Sequence, residues 1–360
     1  MKRKKAKQIT HDNHYVPQFY LKRWSRNGNT VRTYNGIVSN KGVPVWKSTP
    51  IKATAYQPDL YTLRINGDDS DEYENYLERE VETPAAKVFH AIDRQSSLAN
   101  QDMHTLVQFL VAQMTRTPSW HQQVAKTIEA VFEDVVKETI ETVEKDLEEK
   151  GTEGLLQGKN TNRSTVGLTK LGDMPLRCSL DREQSAIKVE TYIGRQPCIA
   201  SSIRALTGKI SQILHSYNWR LIYLENDMQL PTSDNPVVVF SRDIFGNTNV
   251  GLDVGLGTRF ADIMMPLSPQ ALLFTEVGRT QGEIDTINFD SSLVLYLREL
   301  IINNAYRYVY SQEDIPEIEE IRPRLVDALR YKEIRDEQAR WHREQCELEE
   351  TFSFSYYPTM

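Results

Sequence analysis

Ala261-Asp-Ile-Met-Met-Pro-Leu-Ser-Pro-Gln-Ala-Leu-Leu-Phe-Thr-Glu-Val277 holds two short apolar runs, Ala261–Leu267 and Ala271–Val277, and their reading decides the fold class. Each has the length of a strand, not of a helix. Upstream, Trp219-Arg-Leu-Ile-Tyr-Leu224 and Val237-Val-Val-Phe240 read the same way. The four runs form one block of strands with helical patterns on either side. Because strands and helices do not alternate regularly, an α+β fold is expected over a doubly wound sheet. The expected form is helix-rich, one large domain with a small mixed or antiparallel sheet and a projecting helical hairpin.

Before this block, residues 8–65 mix β-prone pieces (Val31–Tyr34, Leu60–Leu63) with Asn-Gly turns at 27–28, 35–36 and 66–67. From Asp71 the spacing becomes helical. Tyr73, Leu77, Val81, Val88 and Ile92 keep one face, with Pro84 a break or restart. A second helix, about 101–117, carries Leu106, Phe109 and Leu110 and stops at Pro118. A third, about 119–150, has a narrow seam of Val124, Ile128, Val131, Val135, Thr142 and Leu147 in a Glu- and Lys-rich surface. Such a helix projects, pairs with another, or lines a homo-oligomer. Residues 151–185 read as an extended linker.

After 185, Ser201–Ser216 reads as one helix. Phe289, Leu293, Leu297, Leu300, Ile301 and Tyr308 read as a long buried one, and about 315–348 as a charged amphipathic one. The expected organisation is a core over 8–310, with a helix-and-loop insertion at about 120–185, and a C-terminal helical extension over 311–360.

Composition narrows the class. The chain has 360 residues, 39% hydrophobic and 26% charged, close to ordinary globular proteins. A net charge of −7 argues against a surface that grips nucleic acid throughout, so such a contact would be local. Cys178, Cys198 and Cys346 are odd in number and far apart. They exclude a disulfide framework and fit a reducing compartment, so a cytoplasmic location is expected. No apolar run approaches the roughly 18 residues that span a bilayer. Met-Lys-Arg-Lys-Lys-Ala-Lys at the start lacks the apolar segment of a secretory signal. It reads as a solvated tail, with a phosphate-contacting arm as the alternative.

Four polar constellations can carry chemistry. The first is His11-Asp-Asn-His-Tyr-Val-Pro-Gln-Phe-Tyr-Leu-Lys-Arg-Trp24. Histidine trades protons near neutral pH, and many aromatic anchors would hold it rigidly. The structural alternative is a latch in which Tyr15, Phe19, Leu21 and Trp24 dock in the core. The second is Gln113-Met-Thr-Arg116-Thr-Pro118. Helical spacing continues the apolar stripe through Gln113 and Arg116, so Arg116 needs either an anionic ligand or an internal carboxylate. The third is Thr232-Ser233-Asp234-Asn235, bracketed by Pro231 and Pro236 ahead of an apolar strand. A carboxylate at a strand mouth suits catalysis, and a hydrogen-bonded turn suits it equally. Pro266-Leu-Ser-Pro269 is a weaker echo of it. The fourth is Asn303-Asn304, where Asn304 falls on an apolar helix face and needs a partner.

Phosphate-cradling Gly-rich loops, Gly-x-Ser-x-Gly and His-Glu-x-x-His are absent. His11 and His14 are spaced for two metal ligands, but no cluster completes a site, so no metal is expected; the cofactor is left unassigned.

His14-Tyr-Val-Pro-Gln-Phe-Tyr-Leu-Lys-Arg-Trp, Gln113-x-x-Arg-Thr-Pro, Thr-Ser-Asp-Asn-Pro236, Pro-Leu-Ser-Pro and Asn-Asn together resemble a family of bacterial proteins of unknown function. That family carries an N-terminal His-Tyr-Val-Pro-Gln-Phe-Tyr-Leu signature, and the resemblance spans roughly residues 10–310. It implies that His14, Gln18, Gln113, Arg116, Asp234 and Asn304 belong to a shared pattern, and it implies no activity.

The expectation drawn from these residues is a nuclease-like enzyme acting on a phosphodiester or nucleotide, in bacterial or phage conflict. His14 would be the acid or base, Arg116 the phosphate ligand, and Asp234 an orienting or metal-binding carboxylate. Gln18, Gln113, Ser233, Asn235 and Asn304 would bind substrate. The alternative is a non-enzymatic binding or regulatory protein that uses its helical surfaces. A nucleotide-modifying transferase is a third reading that nothing in the sequence separates from the first.

Overall fold

The computed structural model describes residues 9–65, 68–157, 177–181, 186–224, 228–242, 248–251, 254–258, 260–278 and 291–351. The fold is α+β. The four runs read as strands pair in one five-stranded antiparallel sheet, ordered 220–223, 271–276, 262–268, 238–242, 248–250. Ile263, Met265, Leu267, Leu273 and Val239 pack into the main core, while Met264, Leu272, Phe274 and Val238 pack against the helix Ser291–Asn304. The alternation of the two faces explains why these strands are apolar throughout. A second sheet is ordered 232–233, 308–311, 30–35, 46–50.

The signature segment is tied into the core. Tyr15, Val16, Tyr20, Leu21 and Trp24 are buried. Trp24 Nε1 donates to the Leu230 carbonyl at 2.8 Å, and the Tyr20 hydroxyl donates to the Pro266 carbonyl at 2.6 Å. Arg23 Nε donates to the Leu267 carbonyl at 2.5 Å, and its guanidinium pairs with Asp93. One short segment thereby fixes both sheets against the helices.

Tyr73, Leu77, Val81, Val88 and Ile92 are all buried on one face. Pro84 does not break that face. A π-helical stretch, Glu78–Glu82, precedes it, and Pro84 then occupies the first turn of the helix Thr83–Asp93, where its missing N–H costs nothing. Pro118 both stops and starts: the helix Asn100–Thr115 ends before it and the helix Pro118–Gln157 begins on it.

Several expectations are corrected. The helix expected at 201–216 is two helices, Arg195–Thr207 and Lys209–His215, parted at Gly208. A Cβ there would lie 2.6 Å from the Arg204 carbonyl oxygen. The long apolar helix stops at Asn304, and Tyr308 opens the strand Tyr308–Ser311. The C-terminal helix is interrupted at Arg322-Pro323. The chain there forms a short helix Ile318–Ile321 and a strand Leu325–Val326, parallel to Ile37–Val38. The helix Ala328–Thr351 follows. Within the expected linker, the helix reaches Gln157 and the strands Arg177–Asp181 and Ala186–Glu190 pair. The rest of that linker, the turn at 66–67 and Phe289 lie outside the described residues. No helix among the described residues is long and apolar enough to cross a membrane.

Candidate functional site

Two polar centres lie on either side of the start of the helix Pro118–Gln157. The first surrounds Arg116. Its side chain is 1% exposed. Nη1 pairs with Glu82 at 2.5 Å and Nη2 donates to the His14 carbonyl, while Arg116's own carbonyl accepts the Tyr61 hydroxyl. Arg116 therefore meets His14 through the main chain, and its charge is already answered by a carboxylate. The His14 ring lies beside Tyr56, and its Nε2 is buried without a hydrogen-bond partner. Burial, aided by the Arg116 charge, holds its pKa below the ordinary imidazole value. Gln113 is fully buried one turn before Arg116, and both of its amide atoms lack partners. Burial raises the neighbouring Glu74 carboxyl to about 7, against the pull of Arg116.

The second centre is a cleft of ≈ 470 Å³ between the signature segment, the start of the helix Pro118–Gln157, the turn at 305–308 and the C-terminal helix. Asp234 lines it, and its carboxylate organises the turn. Oδ1 accepts the Tyr306 N–H at 2.8 Å, and Oδ2 accepts those of Arg307 at 2.8 Å and Tyr308 at 2.9 Å. Burial pushes Asp234 up to about 6, and the three N–H groups pull it back down. Asp234 makes no hydrogen bond or ion pair with His14 or Arg116, so the three residues singled out in sequence do not form one constellation.

Arg307, fixed by that grip, is the distinctive group. It is buried, and its Nε donates to Asn35 Oδ1 at 3.1 Å. Its guanidinium carbon lies 4.9 Å from the Tyr308 ring and 5.3 Å from the Tyr331 ring. Among the described residues it has no carboxylate partner. Arg322, by contrast, is satisfied by the carbonyls of Ile302, Asn303 and Tyr306. Arg330 is balanced by Glu333 at 3.2 Å and by the charge of Glu337.

His121 faces the same space. Its ring touches the cleft yet is surrounded by protein, and burial lowers its pKa to about 4. It is a neutral imidazole at pH 7, and its ring makes no hydrogen bond among the described residues. Trp341 lies nearly parallel to it at 6.4 Å, with its own Nε1 buried and unpartnered. Tyr15, Tyr306 and Tyr308 supply the remaining aromatic wall.

The other sequence-derived positions divide. Asn235 and Asn304 clamp one another: Asn235 Nδ2 donates to the Asn304 carbonyl at 3.0 Å, and Asn304 Nδ2 donates to the Asn235 and Val237 carbonyls. Both line a groove of ≈ 280 Å³ on the far side of the Gln122–Tyr306 hydrogen bond. Ser233 is buried and closes the turn through Asn235. Gln18 is exposed and reaches neither centre. His11 bonds Asp59 at 2.6 Å near the surface. Sequence reasoning missed His121, Arg307, Arg330 and Trp341. The one local signal was the alternation Tyr306-Arg307-Tyr308, one residue after the Asn-Asn pair.

Residues 12–314 match the family described as "Protein of unknown function (DUF4238)". No curated protein matches the chain, and no solved structure does.

Proposed function

The chain belongs to this DUF4238 family, and from that premise we propose that it binds and acts on a nucleotide or phosphodiester held in the cleft of Arg307, His121 and Trp341. The observation that carries the reading is Arg307. A buried guanidinium without a carboxylate is costly, and a phosphate or similar anion is the partner its planar fork fits best. The flanking tyrosines offset part of that cost through their ring faces. The aromatic walls suit the flat face of a nucleobase, which stacks for roughly 1–3 kcal/mol.

In this reading the groups singled out in sequence position others. Asp234 aims Arg307 through the backbone. Arg116 joins His14 to the start of the helix that carries His121. Arg307 answers the charge on the phosphoryl oxygens, and neutral His121 accepts the proton of the attacking water as the phosphorus–oxygen bond to the leaving group breaks; the leaving oxygen takes its proton from solvent. An anion beside His121 also raises its pKa and makes it a better base.

The non-enzymatic reading has one observation in its favour. Arg116 is closed by Glu82, so the first centre offers no free cation to a substrate. It then predicts binding in the cleft without turnover.

The test uses wild type, Arg307→Met and His121→Asn. Each is titrated with nucleoside mono- and triphosphates and with short single-stranded RNA and DNA, and the products are resolved with and without magnesium. Arg307→Met is expected to weaken binding about 10- to 100-fold, the equivalent of a lost charge-assisted contact. His121→Asn is expected to abolish turnover and leave binding within a few-fold. No wild-type binding to any of these ligands removes the proposal, and binding without turnover selects the non-enzymatic form.

A further inference from the structure

Away from the cleft, three side chains of metal-ligand type converge where the C-terminal helix crosses the strands Leu63–Ile65 and Asp68–Ser70. His342 and Cys346 are four residues apart on that helix and so share a face. Asp69 comes from the strand pair. His342 Nε2 lies 3.7 Å from Asp69 Oδ2 and 3.7 Å from Cys346 Sγ, and the three atoms all lie within 4.8 Å of one another. A tetrahedral zinc ion, with bonds of about 2.0–2.3 Å, sets its ligand atoms roughly 3.3–3.6 Å apart. Two of the three separations are therefore within a few tenths of an ångström of that spacing, although Cys346 Sγ lies almost as near to Nδ1, at 4.0 Å, so the imidazole must turn for Nε2 to share an ion with it.

The surroundings suit the same use. Arg64 Nη1 holds Asp69 Oδ1 at 3.0 Å, which leaves Oδ2 facing the imidazole. Burial pushes the Cys346 thiol up, and Arg195, whose Nη2 donates to Sγ at 3.5 Å, offsets part of that; Glu349 neutralises Arg195 at 2.7 and 2.8 Å. Behind the imidazole, Asp59 Oδ2 lies 4.0 Å from Nδ1, beyond hydrogen-bond length here but near enough to close on a ligating histidine, while Oδ1 is held by His11. Cys346 is free and half-buried, so it is reachable.

We propose that Asp69, His342 and Cys346 form a three-ligand site for a divalent metal of the zinc class, with water in the fourth position. The metal clamps the C-terminal helix to the strand pair. Asp69 and the Cys346 thiolate balance the two positive charges. Besides the turn of the imidazole, one contact must change. Arg195 Nη1 donates to His342 Nδ1 at 2.9 Å, which keeps the imidazole proton on Nε2. On metal binding that proton moves to Nδ1 and is donated to Asp59, and Arg195 Nη1 retains the Asp59 carbonyl at 3.3 Å. The thiol proton is released to solvent, one per metal. The site owes nothing to what the cleft binds, and His342 and Cys346 lie beyond the matched residues 12–314.

The test is cobalt titration of the full chain after chelation. One equivalent is expected, with a thiolate-to-cobalt charge-transfer band that zinc displaces. Cys346→Ser should abolish the band, and His342→Gln should weaken binding at least about 10-fold. A wild-type chain without the band, or a band that survives Cys346→Ser, overturns the site. Should the variants unfold, alkylation of the wild-type chain decides. Zinc should protect Cys346 and leave Cys198 unchanged, and equal labelling of Cys346 with and without zinc refutes it.

Discussion

Asp234 Oδ2 accepts the backbone N–H of Arg307 at 2.8 Å, and so a buried carboxylate sets the place of a cleft guanidinium that has no carboxylate partner among the described residues. Asp234→Asn keeps the size of the side chain but puts an amide N–H against one or more of three backbone N–H donors. Each buried donor left unsatisfied costs about 1–3 kcal/mol. Urea unfolding of the variant should show a loss of about 2–4 kcal/mol. Affinity for the proposed nucleotide should fall with it, because the turn that places Arg307 loosens. Unchanged stability would mean that the turn at 305–308 is held by something else.

Arg116 is buried and its partner Glu82 is 20% exposed, and their contributions should not add. Arg116→Met alone strands the Glu82 carboxylate and removes the donor to the His14 carbonyl. Breaking a fully buried pair from one side costs about 3–5 kcal/mol, and the partial exposure of Glu82 puts the loss here at or below the lower end of that range. Adding Glu82→Gln removes the stranded charge, so the double variant should recover part of that loss. A double-mutant cycle in chemical denaturation measures it. A double variant less stable than Arg116→Met would show that Glu82 has a role apart from the pair.

The strands were legible and the cleft was not, for a physical reason. Residues 262–276 are apolar on both faces because a core lies on each side, and that pattern is local. The ends of elements were misjudged where the stop is made by side chains acting at a distance. Leu297, Ile301 and Tyr308 keep helical spacing, yet the chain leaves the helix at Asn304, whose side chain seizes the carbonyls of Asn235 and Val237. Asp234 was found as a polar residue at a strand mouth, but its partners are more than 70 residues away, so its role was not readable. Arg307 is one arginine among many in the sequence. Only the fold shows that its guanidinium has no carboxylate partner among the described residues. The same applies to Asp69, His342 and Cys346, which two distant segments bring together.

Glu74 gives a prediction about pH and stability. Burial raises its carboxyl to about 7, and Oε2 is buried without a partner. An acid whose pKa is higher folded than unfolded is bound to more protons in the folded state. It therefore lowers stability as pH rises from about 4.5 to 7, and the penalty is constant above that. Glu74→Gln removes the titration. The variant should be more stable than wild type at pH 8 by about 1–3 kcal/mol and show no such gain near pH 4. Thermal melts across that range test it, and a pH-independent difference would place the effect in packing instead.

His121 supplies the last prediction, and it is one of coupling between proton and ligand. In the free cleft its pKa is about 4, so at pH 6–7 it carries no proton. A phosphate beside it and Arg307 favours the imidazolium and raises that pKa. The bound state then holds more protons than the free state between the two pKa values. Affinity must accordingly be greatest at low pH and fall as pH rises through the raised, ligand-bound value. Calorimetry in two buffers of different ionisation enthalpy should register fractional proton uptake on binding near pH 6. His121→Asn should remove the uptake and flatten the pH profile while keeping the Arg307 contribution. Uptake that persists in His121→Asn would assign the proton elsewhere, with Asp234, raised to about 6, the first group to examine.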